Sequence, residues 1–478
     1  MDFDSGAGLL HRLTSYEPGR DWDVPVDHPL IRQDLEPNDP ALLPPPVKIY
    51  PTGLPRVSLP RDLPSPEIAA TDVLAGRAAR KLDLDAAQLG RILFLGAGVV
   101  RTSVHRIGKM MFRASGSAGG RFPLEVYAST RGIKGVPDGV HWYDPVEHAL
   151  IQVGPAAGGE RTTLIVTGIP WRTGWRYSER GWRHLYWDGG TLISQLWASG
   201  DAAGLQPQLR TLFADVAIAA LVGADCVHEY PLALLTLGAG APAIESRGPA
   251  THGQLDEIEL PLCTLAQHAG FRTDLGDAWP AGRAIAVHGS SDPLDTVILR
   301  RGSQRLMDPD RTLPRDSLVW PLQASMRGIS VPHWVVVHGV DNTEPGIYRW
   351  PDLSTPIIAG DLREELLRIC LDQNLGSDAA YVVIGAIPSG QLDDRSYRDA
   401  QLAAGIVEGR LHLAAYALGA GASGMTFLDS EVPALLKQPG DLVTLLFTCV
   451  GVPEYRSRPG GKPGVPVEVT SVHPRFKP

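Results

Sequence analysis

The chain has 478 residues, of which 20% are charged and 44% hydrophobic, a balance typical of a globular protein with two or more domains. Its formal net charge of -9 argues against nucleic-acid binding, because such surfaces are usually basic. No apolar run approaches the roughly 20 residues that span a bilayer, and the acidic N-terminus lacks the pattern of a signal peptide. We therefore expect a cytoplasmic protein without membrane contact.

Cysteine and histidine usage predicts neither disulfides nor a metal site. The four cysteines are isolated from one another, and the 14 histidines include no HExxH motif.

The first 66 residues are rich in proline. Such segments favour an extended backbone without internal hydrogen bonds, and several aromatic and apolar residues are interspersed here. We predict that residues 1–66 form an extended arm that docks across a folded body.

Two apolar segments with helical spacing, 183–204 and 398–424, share a sequence pattern. The pairs that align at one offset, without a gap, are Arg183 with Arg398, Gly190 with Gly405 and Gly204 with Gly419. The same order of predicted strands precedes each helix. The pattern therefore predicts two copies of one α+β domain, at 67–240 and 291–478, with a linker at 241–290.

A short basic motif precedes the second set of strands. Arg301, Ser303 and Arg305 place two guanidiniums and a hydroxyl within one or two turns, which suits phosphate oxygens. A solvated basic helix end has the same pattern.

Two glycine-rich segments could bring backbone N–H groups close to a flat or anionic ligand. The first, 115–120, is equally compatible with an ordinary flexible loop. The second, 419–424, matches GxGxxG but follows a helix, so it is no dinucleotide site; a plain helix C-cap competes with a ligand-binding role.

An aromatic and basic cluster, 175–180, lies just before the first of the two long helices. Within it, Tyr177 beside Arg176 could transfer protons if the cation lowers the pKa of the phenol. An interface cluster of ion pairs is the competing interpretation.

These motifs, in this order, resemble the nitroreductase-like flavoprotein superfamily, and within it the SagB-type (McbC-like) dehydrogenases that oxidise azolines in ribosomal peptide natural products. The resemblance covers most of 69–461 in two consecutive copies and implies tandem nitroreductase-like domains forming an intrachain pseudo-dimer.

The resemblance implies FMN as cofactor and assigns roles to matching residues. The family's phosphate grip matches Arg301, Ser303 and Arg305, and basic residues after the last strand add Arg456 and Arg458. The loop that covers the flavin matches Ser117, Ala118 and Gly119, although Gly116 replaces its first proline. The segment that presents backbone N–H groups to the flavin edge matches Ser423, Gly424 and Met425.

The family's Lys-Tyr pair falls at Arg176 and Tyr177, so an arginine replaces the lysine. Arginine hardly deprotonates, which puts general-base action at this position in doubt and favours Tyr177 as the proton carrier.

Each repeat has kept one half of the implied binding apparatus. The first repeat has Ala78 where the phosphate serine is expected, and the second has 327–330 (RGIS) in place of the covering loop. We therefore predict one competent FMN site, with the phosphate grip from the second repeat and the covering loop from the first, and one vestigial pocket.

The implied reaction is oxidation of a peptide thiazoline or oxazoline to the azole, with a peptide substrate and a cyclodehydratase as partner. The alternatives are another flavin oxidoreductase on the same fold, such as a nitro or quinone reductase or a peptide Cα–Cβ dehydrogenase, and a flavin-free scaffold partner.

Overall fold

A computed structural model describes residues 1–21, 26–105, 108–289, 291–473 and 475–476. Its α-helices are α1 (Gly6–Thr14), α2 (Ala70–Leu74), α3 (Ala86–Ala97), α4 (Pro170–Tyr177), α5 (Gly181–Ala202), α6 (Asp215–Val222), α7 (Pro261–Ala269), α8 (Leu294–Arg300), α9 (Asp316–Ser325), α10 (Arg363–Ile369), α11 (Leu375–Asp378), α12 (Asp394–Ala417) and α13 (Val432–Leu435).

The strands are β1 (Arg56–Ser58), β2 (Val99–His105), β3 (Gly108–Arg113), β4 (Leu124–Thr130), β5 (Gly139–Asp144), β6 (Ala149–Gly154), β7 (Thr163–Gly168), β8 (Gln208–Arg210), β9 (Tyr230–Thr236), β10 (His333–Val337), β11 (Gly346–Arg349), β12 (Ile358–Ala359), β13 (Tyr381–Pro388), β14 (Gly421–Met425), β15 (Leu442–Gly451) and β16 (Val467–Glu468).

Two antiparallel sheets repeat one strand order. The first runs β1-β6-β5-β4-β7-β9-β8 and the second β12-β11-β10-β13-β15-β14, so that β4 to β9 correspond to β10 to β15. A three-stranded sheet, β16-β2-β3, joins the C-terminal segment to the first repeat. The repeated order confirms the predicted α+β duplication.

The two long helices, α5 and α12, pack against each other between the sheets. Gly190 and Gly405 lie at the crossing, where a Cβ atom on either glycine would clash with the backbone of the other helix. Each helix is followed by a glycine with positive φ, Gly204 at 66° and Gly419 at 81°, which allows a left-handed C-terminal cap. The glycines that reveal the repeat in the sequence therefore permit close approach and termination of the two helices.

The arm is not extended throughout, contrary to our prediction. Its residues Gly6–Thr14 form α1, because Leu9, Leu10 and Leu13 fall on one face and become buried. The predicted linker likewise contains α7, which packs against α1. The arm and the linker thus each contribute one short helix, and the two helices pack together.

Within the described ranges, no helix combines the length and apolar character needed to cross a membrane.

Candidate functional site

The basic motif of the second repeat contacts the glycine-rich loop of the first. Arg301 Nη2 donates a hydrogen bond to the carbonyl oxygen of Ala114 at 2.7 Å. A Cβ atom on Gly116 would lie 3.5 Å from Arg301 Nη1 and 4.0 Å from Ser303 Oγ. The structure thus brings together, at the seam, the phosphate-grip and covering-loop residues that the sequence separates by almost 190 positions.

The segment after β15 lies beside the same motif. The N–H of Arg305 donates to Tyr455 Oη at 3.1 Å, and a Cβ atom on Gly302 would lie 2.7 Å from Ser457 Oγ. Arg456 is exposed in this segment. Arg458 is also exposed, and its Nη1 donates to the carbonyl oxygen of Glu468 at 3.2 Å. The backbone segment therefore reaches the site, whereas the Arg458 guanidinium is engaged outside it.

Several arginines near the loop form no ion pair with a carboxylate of the described residues. They are Arg101, Arg121, Arg176, Arg301 and Arg305. Burial lowers the pKa of both Arg301 and Arg305. The buried Nε of Arg301 has no hydrogen-bond partner among the described residues. This arrangement suits an anionic ligand.

The covering loop is anchored from below by α5. Ser117 Oγ donates to Asp188 Oδ2 at 2.6 Å, and the N–H of Ala118 donates to Asp188 Oδ1 at 3.0 Å. Gly119 has φ 58°, a left-handed conformation that glycine tolerates. The three predicted loop residues therefore share one buried carboxylate and one tight turn.

Tyr177 ends α4 and faces this loop. A Cβ atom on Gly119 would lie 2.7 Å from Tyr177 Oη and 2.6 Å from Arg176 Cδ. The Tyr177 ring stacks on His184, with ring centroids 4.3 Å apart and planes at 11°. Arg176 Nη1 donates weakly to Asn38 Oδ1 of the arm, at 3.4 Å. Tyr177, the candidate for proton transfer, thus borders the site, and the arm contacts the neighbouring residue Arg176.

Electrostatics at Tyr177 differ from our expectation that a cation lowers the pKa of the phenol. Burial raises the pKa of Tyr177, and the Arg176 guanidinium offsets only part of this effect. Desolvation outweighs the neighbouring charge, so that Tyr177 is a neutral phenol at pH 7.

Ser423, Gly424 and Met425 lie in β14, at the edge of the second sheet. The Glu408 carboxylate of α12 lies against Gly424, where a Cβ atom on this glycine would clash with Glu408 Oε1. Ser423 is buried, and its hydroxyl donates to the carbonyl oxygen of Gly424 at 3.3 Å. The role of this segment at the flavin edge stays a prediction.

Sequence reasoning missed Asp188, His184 and Glu408. Asp188 and Glu408 are acidic residues with mainly apolar neighbours in the sequence, a weak signal of a buried polar role. His184 has no comparable signal; it is buried, and both its ring nitrogens lack a partner among the described residues.

A cavity of about 10 Å³ lies under the loop, lined by residues that include Ser115, Gly116, Ser117, Asp188 and Leu192. Ligand pockets usually measure roughly 300–1,000 Å³. A three-ring ligand therefore requires outward movement of the loop.

The equivalent place on the other side of the seam is filled by the chain itself. Arg327, which aligns with the covering loop, lies against Gly76 and donates to the carbonyl oxygens of Leu74 at 2.9 Å and Ala281 at 3.1 Å. Arg410 Nη1 donates to the carbonyl oxygen of Arg327 at 2.7 Å. These contacts close the pocket that we predicted to be vestigial.

No protein-family model matches the chain. A candidate nitroreductase from Methanocaldococcus jannaschii, MJ1384, is 26% identical over an alignment of 191 residues. The alignment covers 36% of this chain and 91% of that protein. The crystal structure of a candidate nitroreductase from Anabaena variabilis matches 94% of this chain and all of its own, with a TM-score of 0.72 and 22% identity. The E. coli microcin synthetase McbBCD complex matches 40% of this chain and 77% of its own at 19% identity, with a TM-score of 0.28, too low to support any inference. The near-complete overlap with the Anabaena structure shows that this chain has the nitroreductase-like fold, present as two tandem units.

Proposed function

We propose that the chain is an FMN-dependent dehydrogenase that oxidises thiazolines or oxazolines of a peptide to azoles. The observation that carries the proposal is the approach of Arg301 and Ser303 to Gly116 across the seam. The residues that the resemblance assigns to the FMN phosphate therefore lie next to those that it assigns to the covering loop.

The residues around the seam fit the phosphate end of FMN. Arg301, Ser303 and Arg305 supply guanidinium and hydroxyl donors, and Arg301 has an unpartnered buried Nε. Ser117, Ala118 and Gly119 would cover the ring system once the loop has moved outward. FMN, when bound, supplies the redox chemistry by accepting a hydride equivalent from the substrate.

The protein's own contribution is to align the substrate and to handle one proton. Tyr177 Oη faces the covering loop at Gly119. As a phenolate, Tyr177 would take the Cα proton of the azoline and become neutral, and Arg176 would stabilise the negative charge of the phenolate before this transfer. The raised pKa of Tyr177 makes this step slow at neutral pH and faster as pH rises.

The alternative is a nitro or quinone reductase on the same fold, with the same FMN site. The names of the Methanocaldococcus and Anabaena proteins favour it. The neutral phenol of Tyr177 also favours it, because a reductase needs a proton donor where a dehydrogenase needs an acceptor.

A peptide substrate and a cyclodehydratase partner belong to the first proposal. The arm, which contacts Arg176 through Asn38, is the segment best placed to meet either of them.

The experiment begins with the absorbance spectrum of the purified protein and its FMN content, for which we expect one FMN per chain. An azoline peptide and NAD(P)H with a quinone or nitroarene are then offered separately. Azole formation supports the dehydrogenase, and rapid NAD(P)H oxidation supports the reductase. A colourless protein that binds no added FMN contradicts both.

A further inference from the structure

Two carboxylates lie beneath the candidate site, one on each long helix: Asp188 is buried, and the Glu408 side chain is 12% exposed. Asp188 belongs to α5 of the first repeat and Glu408 to α12 of the second. We propose that Asp188 and Glu408 are positioning residues, each of which fixes one of the two backbone segments that border the site. This inference rests on the proposed FMN site and extends it to residues that contact neither substrate nor cofactor.

Asp188 holds the covering loop. Both its carboxylate oxygens are used: Oδ2 accepts from Ser117 Oγ at 2.6 Å, and Oδ1 accepts from the N–H of Ala118 at 3.0 Å. Ser117 Oγ in turn accepts from the N–H of Phe122 at 2.8 Å, which ties the end of the loop to the same carboxylate. Because the Asp188 carboxylate accepts both hydrogen bonds, it fixes the distance between the loop and α5.

Glu408 holds the opposite border. Its carboxylate lies where a Cβ atom on Gly424 would be, so only glycine permits this approach. On its own helix, His412 Nε2 lies 3.6 Å from Glu408 Oε1. The position of β14 along the site therefore depends on Glu408.

The two carboxylates share one electrostatic environment. Burial raises the pKa of Asp188 to about 7 and that of Glu408 to about 8, and the Asp188 charge adds to the second effect. The groups that act on or face the pair are Ser117, Ala118, Tyr177, Arg301, His412, Gly424 and Cys449. Arg301 is the cation among those acting on Glu408, so a second negative charge in the pair is only partly compensated.

At neutral pH the pair retains protons, and both the covering loop and β14 are held in place. Above about pH 8 both carboxylates are ionised and repel each other, which loosens one border. Since the loop and β14 flank the same ligand, affinity for FMN should fall with this ionisation.

The test uses FMN itself and the full chain. Titration of apo-protein, followed by quenching of flavin fluorescence, gives the dissociation constant between pH 6 and 9. Glu408→Ala should weaken FMN binding about tenfold, because it removes the side chain that packs against β14 at Gly424. Glu408→Gln, which keeps the size of the side chain, should retain most of the affinity but lose the decline above pH 8.

Ser117→Ala should weaken binding, and Asp188→Asn should weaken it at least as much, because Asp188 also accepts from the N–H of Ala118. The double variant should lose less than the sum of the two, because both changes interrupt the contact between Ser117 and Asp188. Asp201→Asn is the matched control. Asp201 is also on α5 with a pKa raised to about 7, but it lies near Arg327 and Arg410 on the other side of the seam. That variant should bind FMN as the unmodified chain does.

A second measurement needs no cofactor. The carbonyl stretch of a protonated carboxyl group should be present in the infrared spectrum of apo-protein at pH 7 and reduced in Glu408→Gln, which also covers the case in which Glu408→Ala fails to fold. Unchanged FMN affinity and pH dependence in the Glu408 and Asp188 variants would overturn the inference and leave the proposed function intact. Failure of the unmodified chain to bind FMN at any pH would instead overturn the proposed function and the inference together.

Discussion

Arg183 and Arg398, which occupy the same position in the two repeats, each form an ion pair with a carboxylate of the other repeat. Arg183 Nη1 lies 2.7 Å from Asp429 Oδ1, and Arg398 Nη1 lies 2.9 Å from Asp215 Oδ1. The exchange is reciprocal, as expected of an interface related by a two-fold axis. The arginine that marks the repeat in the sequence therefore also joins the repeats.

A second arginine, one turn earlier, completes each cluster. Arg180 pairs with Asp429 and Arg395 with Asp215, both at 2.7 Å. All four arginines are buried, so each aspartate neutralises two guanidiniums away from water. These clusters hold α5 and α12 in the register that brings Arg301 to the covering loop.

We expect Asp429→Ala to lower the free energy of unfolding by about 3–5 kcal/mol, because two buried guanidiniums lose their counter-charge. Urea denaturation at pH 7 measures the change. Asp138→Ala is the control, since it removes an exposed ion pair with Arg131, worth roughly 0–1 kcal/mol. An equally small effect at Asp429 would mean that the clusters do not join the repeats.

The same clusters predict a sensitivity to acid. Burial would raise the pKa of Asp429, but Arg180 and Arg183 outweigh it and hold the pKa at about 2. The stabilisation is therefore complete above the unfolded value near pH 4 and is lost as pH falls toward 2.

Arg301→Ala should weaken FMN binding at least tenfold, because it removes a charged donor from the proposed phosphate site. The matched control is Arg77→Ala. Arg77 begins the corresponding motif of the first repeat, is exposed and pairs with Asp72 at 3.4 Å. Fluorescence titration compares the two variants; equal losses would contradict the assignment of a single site to the second repeat's motif.

How much the sequence reveals depends on the kind of signal. Gly190, Gly405 and the paired arginines repeat at one offset, and they predicted the duplication; the contact between the long helices is seen only in the structure. The proximity of Arg301 to Gly116 followed only from the family resemblance, because no local pattern links residues so far apart.

Other features leave little trace in the sequence. The helical propensity of α1 was overlooked beside the proline-rich stretch that follows it. The roles of Asp188 and Glu408 depend on their surroundings in the folded protein, which an acidic residue in a helical sequence does not reveal. Arg327 fills the second pocket because of the conformation of its side chain, and tertiary contacts rather than local sequence determine that conformation.

Tyr177→Phe should abolish azoline oxidation while FMN stays bound, because the phenol is needed for the proton and not for the cofactor. In the unmodified chain the rate of oxidation should rise with pH toward the raised pKa of Tyr177, since the phenolate is the active form. Reduction of a quinone should show the opposite slope, because there the phenol donates. Steady-state rates between pH 6 and 10 distinguish the roles, and a flat profile for both substrates would remove Tyr177 from either mechanism.

Stability should also fall as pH rises from about 4 to 8, because of the carboxylates beneath the site. In the unfolded chain both groups ionise near pH 4, whereas burial raises the pKa of Asp188 to about 7 and that of Glu408 to about 8. The folded protein therefore holds protons that the unfolded chain has released, and the stability present below pH 4 is lost progressively up to the folded pKa values. Glu408→Gln removes one titrating group and should flatten the decline, as measured by urea denaturation at pH 5 and pH 8. Asp138→Asn, at an exposed site, should leave the slope unchanged; the same slope in Glu408→Gln as in the unmodified chain would show that Glu408 is ionised in the folded protein at neutral pH.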